Sequence, residues 1–297
     1  MTLVNTIVLD DIAQAAAVLR RGGLVAFPTE TVFGLGVDAT NEAALSRLLA
    51  AKGRPSDNPL IVHIAEVDQW PDVARSMPAV AERLLAKFAP GPLTVVLPKH
   101  PSICSAVTAG LDTVGMRIPN HSQARLLLAA AGVPIAAPSA NRSGRPSGTT
   151  WQTVLEDLDG RIDAVLRGAT CAIGIESTVV DCVSDPPRLL RPGAISLADL
   201  QTVAPELIVY GPADNHDSTV NSPGLRHPHY KPAALIQLVE RASEADREMK
   251  SRPQNAEKLE QYLANCAYCG LDESKLANYL GASRRFNSVE EYAHELY

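Results

Sequence analysis

Residues 1–210 alternate short β-rich runs with helical stripes. Residues 24–27, 60–64, 94–97, 114–118, 134–137, 164–166, 177–183 and 188–190 are rich in aliphatic and β-branched side chains, many bounded by Gly or Pro, and predict strands. Between them, residues 11–21, 42–52, 79–88, 122–131 and 150–158 predict helices, because their apolar residues recur at three and four, as in Ile12, Ala15, Ala16 and Leu19. The alternation predicts an α/β domain with an open sheet flanked by helices. Several strands follow one another without a helix between them, so the sheet should be mixed.

The pattern breaks at residues 211–232, GPADNHDSTVNSPGLRHPHYKP, which is rich in Pro, Asn and Ser and nearly free of aliphatic side chains. This segment reads as a linker. Residues 233–297 predict a smaller region: a short strand, an amphipathic helix rich in Glu and Lys, and further helices. Residues 289–297 start a helix without a stop signal, so this region reads as incomplete. The expected organisation is a domain at 1–210, a linker at 211–232 and a short C-terminal region at 233–297. No internal repeat or low-complexity tract interrupts it.

Composition narrows the class. The 297 residues are 46% hydrophobic and 20% charged, as in a globular chain, and the formal charge of −6 argues against a generally polybasic surface. Any anion site must therefore be a local cluster. Five cysteines, an odd number scattered along the chain, argue against a disulfide framework. The N-terminus carries no signal-peptide pattern, and no apolar stretch approaches the ~20 residues of a membrane helix. A cytoplasmic location without membrane attachment is expected.

Polar clusters follow several of the strands, where open α/β sheets place their ligands. Pro28-Thr29-Glu30-Thr31-Val32-Phe33-Gly34-Leu35-Gly36 suits a small polar ligand, although taken alone it reads as a strand-to-helix turn. Gly34-x-Gly36-x-x-Ala39 also meets a relaxed dinucleotide fingerprint, but Asp38-Ala39-Thr40-Asn41 puts the helix cap beyond the glycines, against nicotinamide binding. Lys52 and Arg54 at a helix end, followed by Asn58 and His63, form either a dipole cap or a polyphosphate clamp. Arg117, inside an apolar strand, needs an anion, from a ligand or a structural ion pair.

The run from Pro138 through Ser139, Asn141, Arg142, Arg145 and Ser147 to Gly148 has the composition of a phosphate-binding nest, or of a surface loop. Glu176-Ser177-Thr178 and Leu190-Arg191-Pro192-Gly193 read equally as hairpin turns. Walker A, HExxH, GxSxG and SxxK motifs are all lacking. A lone Cys266-x-x-Cys269 and His227-Pro228-His229 fall short of the four ligands a zinc site needs, so no metal site is predicted.

In order along the chain, GLVAFPTETVFGLGVDA, KGRPSDNPLIVHI, PGPLTVVLP, VGMRIPNH, APSANRSGRPSGTT, IESTVVD and LRPGAIS resemble the Sua5/YrdC/YciO family. The K-x-R pair at Lys52 and Arg54 and the S-x-N pair at Ser139 and Asn141 match its signatures, and SPGLRHPHYKP is similar to the linker of its two-domain branch. The resemblance implies a YrdC-like twisted open mixed sheet. The activity it implies is synthesis of threonylcarbamoyl-AMP and pyrophosphate from L-threonine, bicarbonate and ATP, with Mg²⁺ on the triphosphate. The product would go to a tRNA threonylcarbamoyltransferase complex for modification of adenosine 37, with direct binding of double-stranded RNA or tRNA as a further expectation.

Carried over residue by residue, the resemblance implies catalytic positions at Lys52, Arg54, Ser139 and Asn141. It implies L-threonine contacts from Thr31, His63, Arg117, Ala137 and Ser177, with Arg117 on the carboxylate and Ala137 contributing backbone. ATP contacts would come from Arg54, Asn58, Thr113, Ser139, Ser147 and Arg191, and from Arg226, His229 or Tyr230 of a linker lying across the cavity mouth. Lys52, Asn141 and Arg145 would complete a phosphate cradle. The competing readings are a non-catalytic RNA-binding module on the same domain, a hydrogenase-maturation carbamoyltransferase, and a YciO-like paralogue with another substrate.

Overall fold

The computed structural model describes residues 5–210, 267–270 and 282–285. Strands are β1 (Ile7–Leu9), β2 (Val25–Phe27), β3 (Gly34–Asp38), β4 (Ile61–His63), β5 (Leu93–Pro98), β6 (Thr113–Arg117), β7 (Ile135–Ala136), β8 (Ala164–Leu166), β9 (Thr178–Asp181), β10 (Arg188–Arg191) and β11 (Ile208–Val209). Helices are α1 (Ile12–Arg20), α2 (Glu42–Lys52), α3 (Ala79–Phe88), α4 (Ser122–Ala131), α5 (Trp151–Leu158) and α6 (Leu197–Gln201). Helix starts are pinned by side-chain caps: Asp11 Oδ1 accepts from Ala13 N at 2.7 Å, Asn41 Oδ1 from Ala44 N at 3.0 Å, and Thr150 Oγ1 from Thr153 N at 3.2 Å.

The eleven strands form one mixed sheet in the order β1-β8-β2-β3-β7-β4-β6-β5-β9-β10-β11. Period-two alternation within a strand divides its side chains between two cores. In and beside β2, Leu24 and Ala26 join a cluster containing Leu45 and Leu48 of α2, Leu84 of α3 and Val154 of α5. Val25 and Phe27 join the other cluster, with Leu19 of α1 and Leu127 of α4. The sheet is therefore covered by helices on both faces, as the alternating pattern predicts.

The segment after β2 corrects the sequence reading. It is not a strand-to-helix turn: β3 pairs antiparallel with β2, with Phe27 opposite Gly34 and Val25 opposite Gly36. A Cβ on Gly36 would stand 2.9 Å from Phe27 Cε1 and 3.0 Å from Ile135 Cγ2, so the glycine serves close packing beneath the Phe27 ring. With both glycines inside a strand, the dinucleotide fingerprint has lost its required context.

The two described C-terminal strands, β12 (Ala267–Gly270) and β13 (Ala282–Arg285), pair in parallel, Ala267 with Ala282 and Gly270 with Arg285. They fall where helices were predicted. Inter-strand hydrogen bonding, which helical periodicity does not register, decides these short segments. No helix among the described residues is long and apolar enough to cross a membrane.

Candidate active site

Strands β4 and β6 run parallel in a register that sets His63 beside Arg117, and Thr94 of β5 lies opposite Arg117 on its other side. The three side chains thus share one face of the sheet. Above them the β2–β3 connection, the turn after β7 and the turns around Ser177 and Arg191 enclose a cavity of about 180 Å³. Of the sequence-predicted residues, Thr31, Arg54, His63, Arg117, Ala137, Ser139, Ser177 and Arg191 line it together.

Burial and the nearby Arg117 guanidinium push the His63 imidazole down to about 3, so the ring is neutral. Its Nδ1–H donates to the Ile61 carbonyl at 3.2 Å, the tautomer that an acceptor-only partner requires. Between pH 6.5 and about 3 the unfolded chain binds a proton that folded His63 refuses, so this group's contribution to stability is full above 6.5 and lost as pH falls. His63→Gln is expected to flatten that acid slope, as measured by urea denaturation near neutrality and in mild acid.

Arg117 is 4% exposed and faces the cavity, with Nε donating to the Gly91 carbonyl at 3.3 Å. Thr31 is fully buried; its Oγ1 lies 2.9 Å from Thr29 Oγ1, which also accepts from Thr31 N at 3.2 Å. The Ala137 N–H donates to the Ile61 carbonyl at 2.9 Å, so a backbone contact to a ligand would come from its carbonyl.

Arg191 joins two parts of the site. It donates from Nε (3.1 Å) and Nη2 (2.9 Å) to the Ser177 carbonyl, and from Nη2 to Ser177 Oγ (3.1 Å). That hydroxyl shares a 2.7 Å hydrogen bond with the buried Thr94. Gly193 makes the turn possible, because a Cβ there would lie 2.5 Å from Thr178 N and 2.7 Å from the Glu176 carbonyl. Arg54 donates from Nη2 to the Pro59 carbonyl at 3.0 Å and is pushed down to about 10 by burial and by Arg191. Arg54 and Arg191 make this hollow a local cationic site in a net acidic chain, suited to anions, whereas Arg117 beside them is ion-paired with the buried Glu30 carboxylate.

Other predicted residues stand outside the lining. Lys52 is 3% exposed, and Nζ donates to the carbonyls of Ser139 and Asn141, each at 2.5 Å. Burial and the adjacent Arg54 guanidinium bring its ammonium down to about 7. Asn141 Nδ2 donates to the carbonyls of Arg142 (3.0 Å) and Arg145 (2.7 Å), folding the loop on itself. The Arg145 Nη1–Asp157 Oδ1 ion pair spans 2.5 Å, and Asp157 Oδ2 also accepts from Arg142 N.

Ser147 is buried and donates to Glu176 Oε1 at 2.7 Å. Asn58 is buried beside Arg54, which donates from Nε to its carbonyl at 3.3 Å. Thr113 begins β6, four residues before Arg117 and so about 13 Å along the strand. Arg226, His229 and Tyr230 lie outside the described residues.

Glu30, Thr94 and Glu176 had no assigned role in the sequence reading. Glu30 and Glu176 carried a legible signal as lone acids in hydroxyl-rich turns, whereas Thr94 is indistinguishable from any strand threonine. Burial pushes the Cys171 thiol up to about 12 and raises Cys182, so neither offers a ready thiolate. Among the described residues no three His, Cys, Asp or Glu side chains converge as a metal site.

The Sua5/yciO/yrdC family profile, described as "Telomere recombination", matches residues 17–193, and a profile described as "Threonylcarbamoyl-AMP synthase, C-terminal domain" matches residues 195–297. The chain is 48% identical over 235 residues to threonylcarbamoyl-AMP synthase of Bacillus subtilis, covering 78% of this chain and 68% of that protein. It is 47% identical over 230 residues to the protein of the same name from Pyrococcus abyssi, covering 76% and 67%. The crystal structure of P. abyssi Sua5 complexed with L-threonine superimposes with a TM-score of 0.86 at 38% identity, covering 99% of this chain and 87% of that one.

Proposed function

Because this chain belongs to the Sua5/YrdC/YciO family, we infer that it joins L-threonine, bicarbonate and ATP into threonylcarbamoyl-AMP, releasing pyrophosphate, for N6-threonylcarbamoylation of tRNA adenosine. The observation that carries this reading is a single cavity lined both by the His63–Arg117 pair and by Arg54 and Arg191. An amino-acid carboxylate and a polyphosphate can be neutralised there side by side.

Bicarbonate and the threonine amine condense to a carbamate with loss of water. A carbamate oxygen then attacks the α-phosphorus in line, the bond to the β-phosphate oxygen breaks, and pyrophosphate leaves. No covalent enzyme intermediate is needed, so positioning and charge neutralisation carry the catalysis. In this reading Arg117 binds the threonine carboxylate, while Thr31, the neutral His63, the Ala137 carbonyl and Ser177 surround the rest of the amino acid. Arg54, Ser139 and Arg191 receive the phosphates. Lys52 and Asn141 act on them indirectly, by shaping the loop that carries Ser139.

Asn58, Thr113 and Ser147 extend the nucleotide site, and Arg226, His229 and Tyr230 of the linker at 211–232 complete it. The domain at 1–210 holds this machinery, with 233–297 as the accessory region. Among the described residues the cavity offers one carboxylate, Glu176, too few donors for a protein-held Mg²⁺; the ion would arrive on the triphosphate oxygens. The product passes to a tRNA threonylcarbamoyltransferase, which suits a cytoplasmic location.

Pyrophosphate release from ATP should require both L-threonine and bicarbonate when each is omitted in turn. Release that needs neither would overturn the reading in favour of another nucleotide reaction.

A further inference from the structure

We propose that Glu30 is the specificity-determining residue of the amino-acid site: by pairing with Arg117 from behind the cavity wall, it makes the site accept a zwitterion and reject simple anions. The inference rests on the reading of Arg117 as the carboxylate-binding group.

Glu30 is 8% exposed and does not line the cavity, whereas Arg117 does. Its Oε1 stands 2.8 Å from Arg117 Nη2 as an ion pair. The alignment falls short of a hydrogen bond: both Glu30 carboxylate oxygens and Arg117 Nη2 are buried, with no hydrogen-bond partner among the described residues. The Glu30 main chain is pinned separately, its carbonyl accepting from Ile173 N at 2.8 Å, which fixes the backbone from which the side chain reaches Arg117. A buried carboxylate left without hydrogen bonds is costly, and its compensation here is the charge of Arg117.

The consequence is electrostatic. A buried guanidinium with no counter-charge would trap whichever anion reached it first, and two of the three substrates, bicarbonate and ATP, are anions. The neighbouring His63 is neutral and supplies no negative charge. Among the described residues Glu30 is the one carboxylate within ion-pair distance of Arg117. With it in place the pair is close to neutral. A lone anion then gains hydrogen bonds from Arg117 but little net charge attraction, while also meeting the field of Glu30.

An α-amino acid escapes this penalty because its ammonium compensates its carboxylate. Specificity of this kind is a difference of affinities built from a repulsive element.

The test titrates L-threonine, 3-hydroxybutyrate and inorganic sulfate into the unsubstituted protein and into Glu30→Gln, by calorimetry, with thermal melts to confirm folding. 3-Hydroxybutyrate keeps the carboxylate and hydroxyl of threonine and lacks only the ammonium. Glu30→Gln keeps the shape and removes the charge. The preference for L-threonine over 3-hydroxybutyrate is expected to fall by about 10-fold or more, and sulfate should begin to compete with L-threonine. Glu30→Asp, which keeps the charge, should retain most of the preference.

Equal weakening of both organic ligands in Glu30→Gln, or an unchanged preference, overturns the proposal, since a merely structural role predicts the first. Should Glu30→Gln not fold, the unsubstituted protein still decides: displacement of bound L-threonine by sulfate there would refute it. Failure of the unsubstituted protein to bind L-threonine at all would instead defeat the reading of the site itself, and this inference with it.

Discussion

Replacing Arg117 by Ala should raise the KM for L-threonine by about 100-fold or more while leaving the KM for ATP within a few-fold, because the substrate carboxylate loses a buried, charge-assisted partner. The guanidinium lines the cavity from the end of β6, and its register partner His63, being neutral, cannot replace the charge. The same substitution strands Glu30, 8% exposed, as an uncompensated buried carboxylate. Breaking such a pair costs about 3–5 kcal/mol of stability, so denaturation must accompany the kinetics.

A further readout separates charge from mere packing. Arg117 is one cause of the low His63 value, so in Arg117→Ala the imidazole should titrate above about 3, followed by its NMR ring resonances. An unchanged threonine KM in a folded Arg117→Ala protein would remove the carboxylate-binding role.

Lys52→Met should destabilise the protein and weaken ATP use together. The two carbonyls that Nζ serves, those of Ser139 and Asn141, would lose a donor in a buried setting, at roughly 1–3 kcal/mol for each group. Ser139 lines the cavity, so a loosened loop should raise the ATP KM by about 10-fold or more, with a smaller effect on threonine.

The pH dependence has a definite sign. Lys52 is lowered from 10.5 to about 7, so between those values the unfolded chain holds a proton that the folded chain has released. Stability from this group therefore rises with pH across that window and is poorest below 7. Lys52→Met should flatten the rise, as seen in urea midpoints taken below and above neutrality. Loss of nucleotide affinity with no loss of stability would mean that Nζ contacts phosphate directly and does not anchor the loop.

Much of this architecture is legible in order along the chain. The eight predicted strands and five predicted helices of residues 1–210 all appear, because strand and helix periodicity is local and survives tertiary context when both faces of the sheet are buried. Strand β3 was not legible. Its glycines carry no period-two signal, and their use, close packing beneath Phe27, exists only once the hairpin has formed. The short strands β1 and β11 and the five-residue helix α6 escaped for a simpler reason, being too short for a periodic pattern.

The candidate site divides along the same line. Sequence alone determined which chemistry was available: arginines, hydroxyls and one histidine after strand ends, in a chain whose net charge is negative, with several cations equally eligible to meet a ligand. Only the tertiary structure decided among them. It turned Arg54, Arg117 and Arg191 into the cavity, gave Lys52 to carbonyls 87 and 89 residues away, and set Glu30 behind Arg117. A side chain's composition and spacing are local properties, but the partner that satisfies its charge comes from wherever the sheet order brings another strand, and in a buried site that partner determines what remains to bind a substrate.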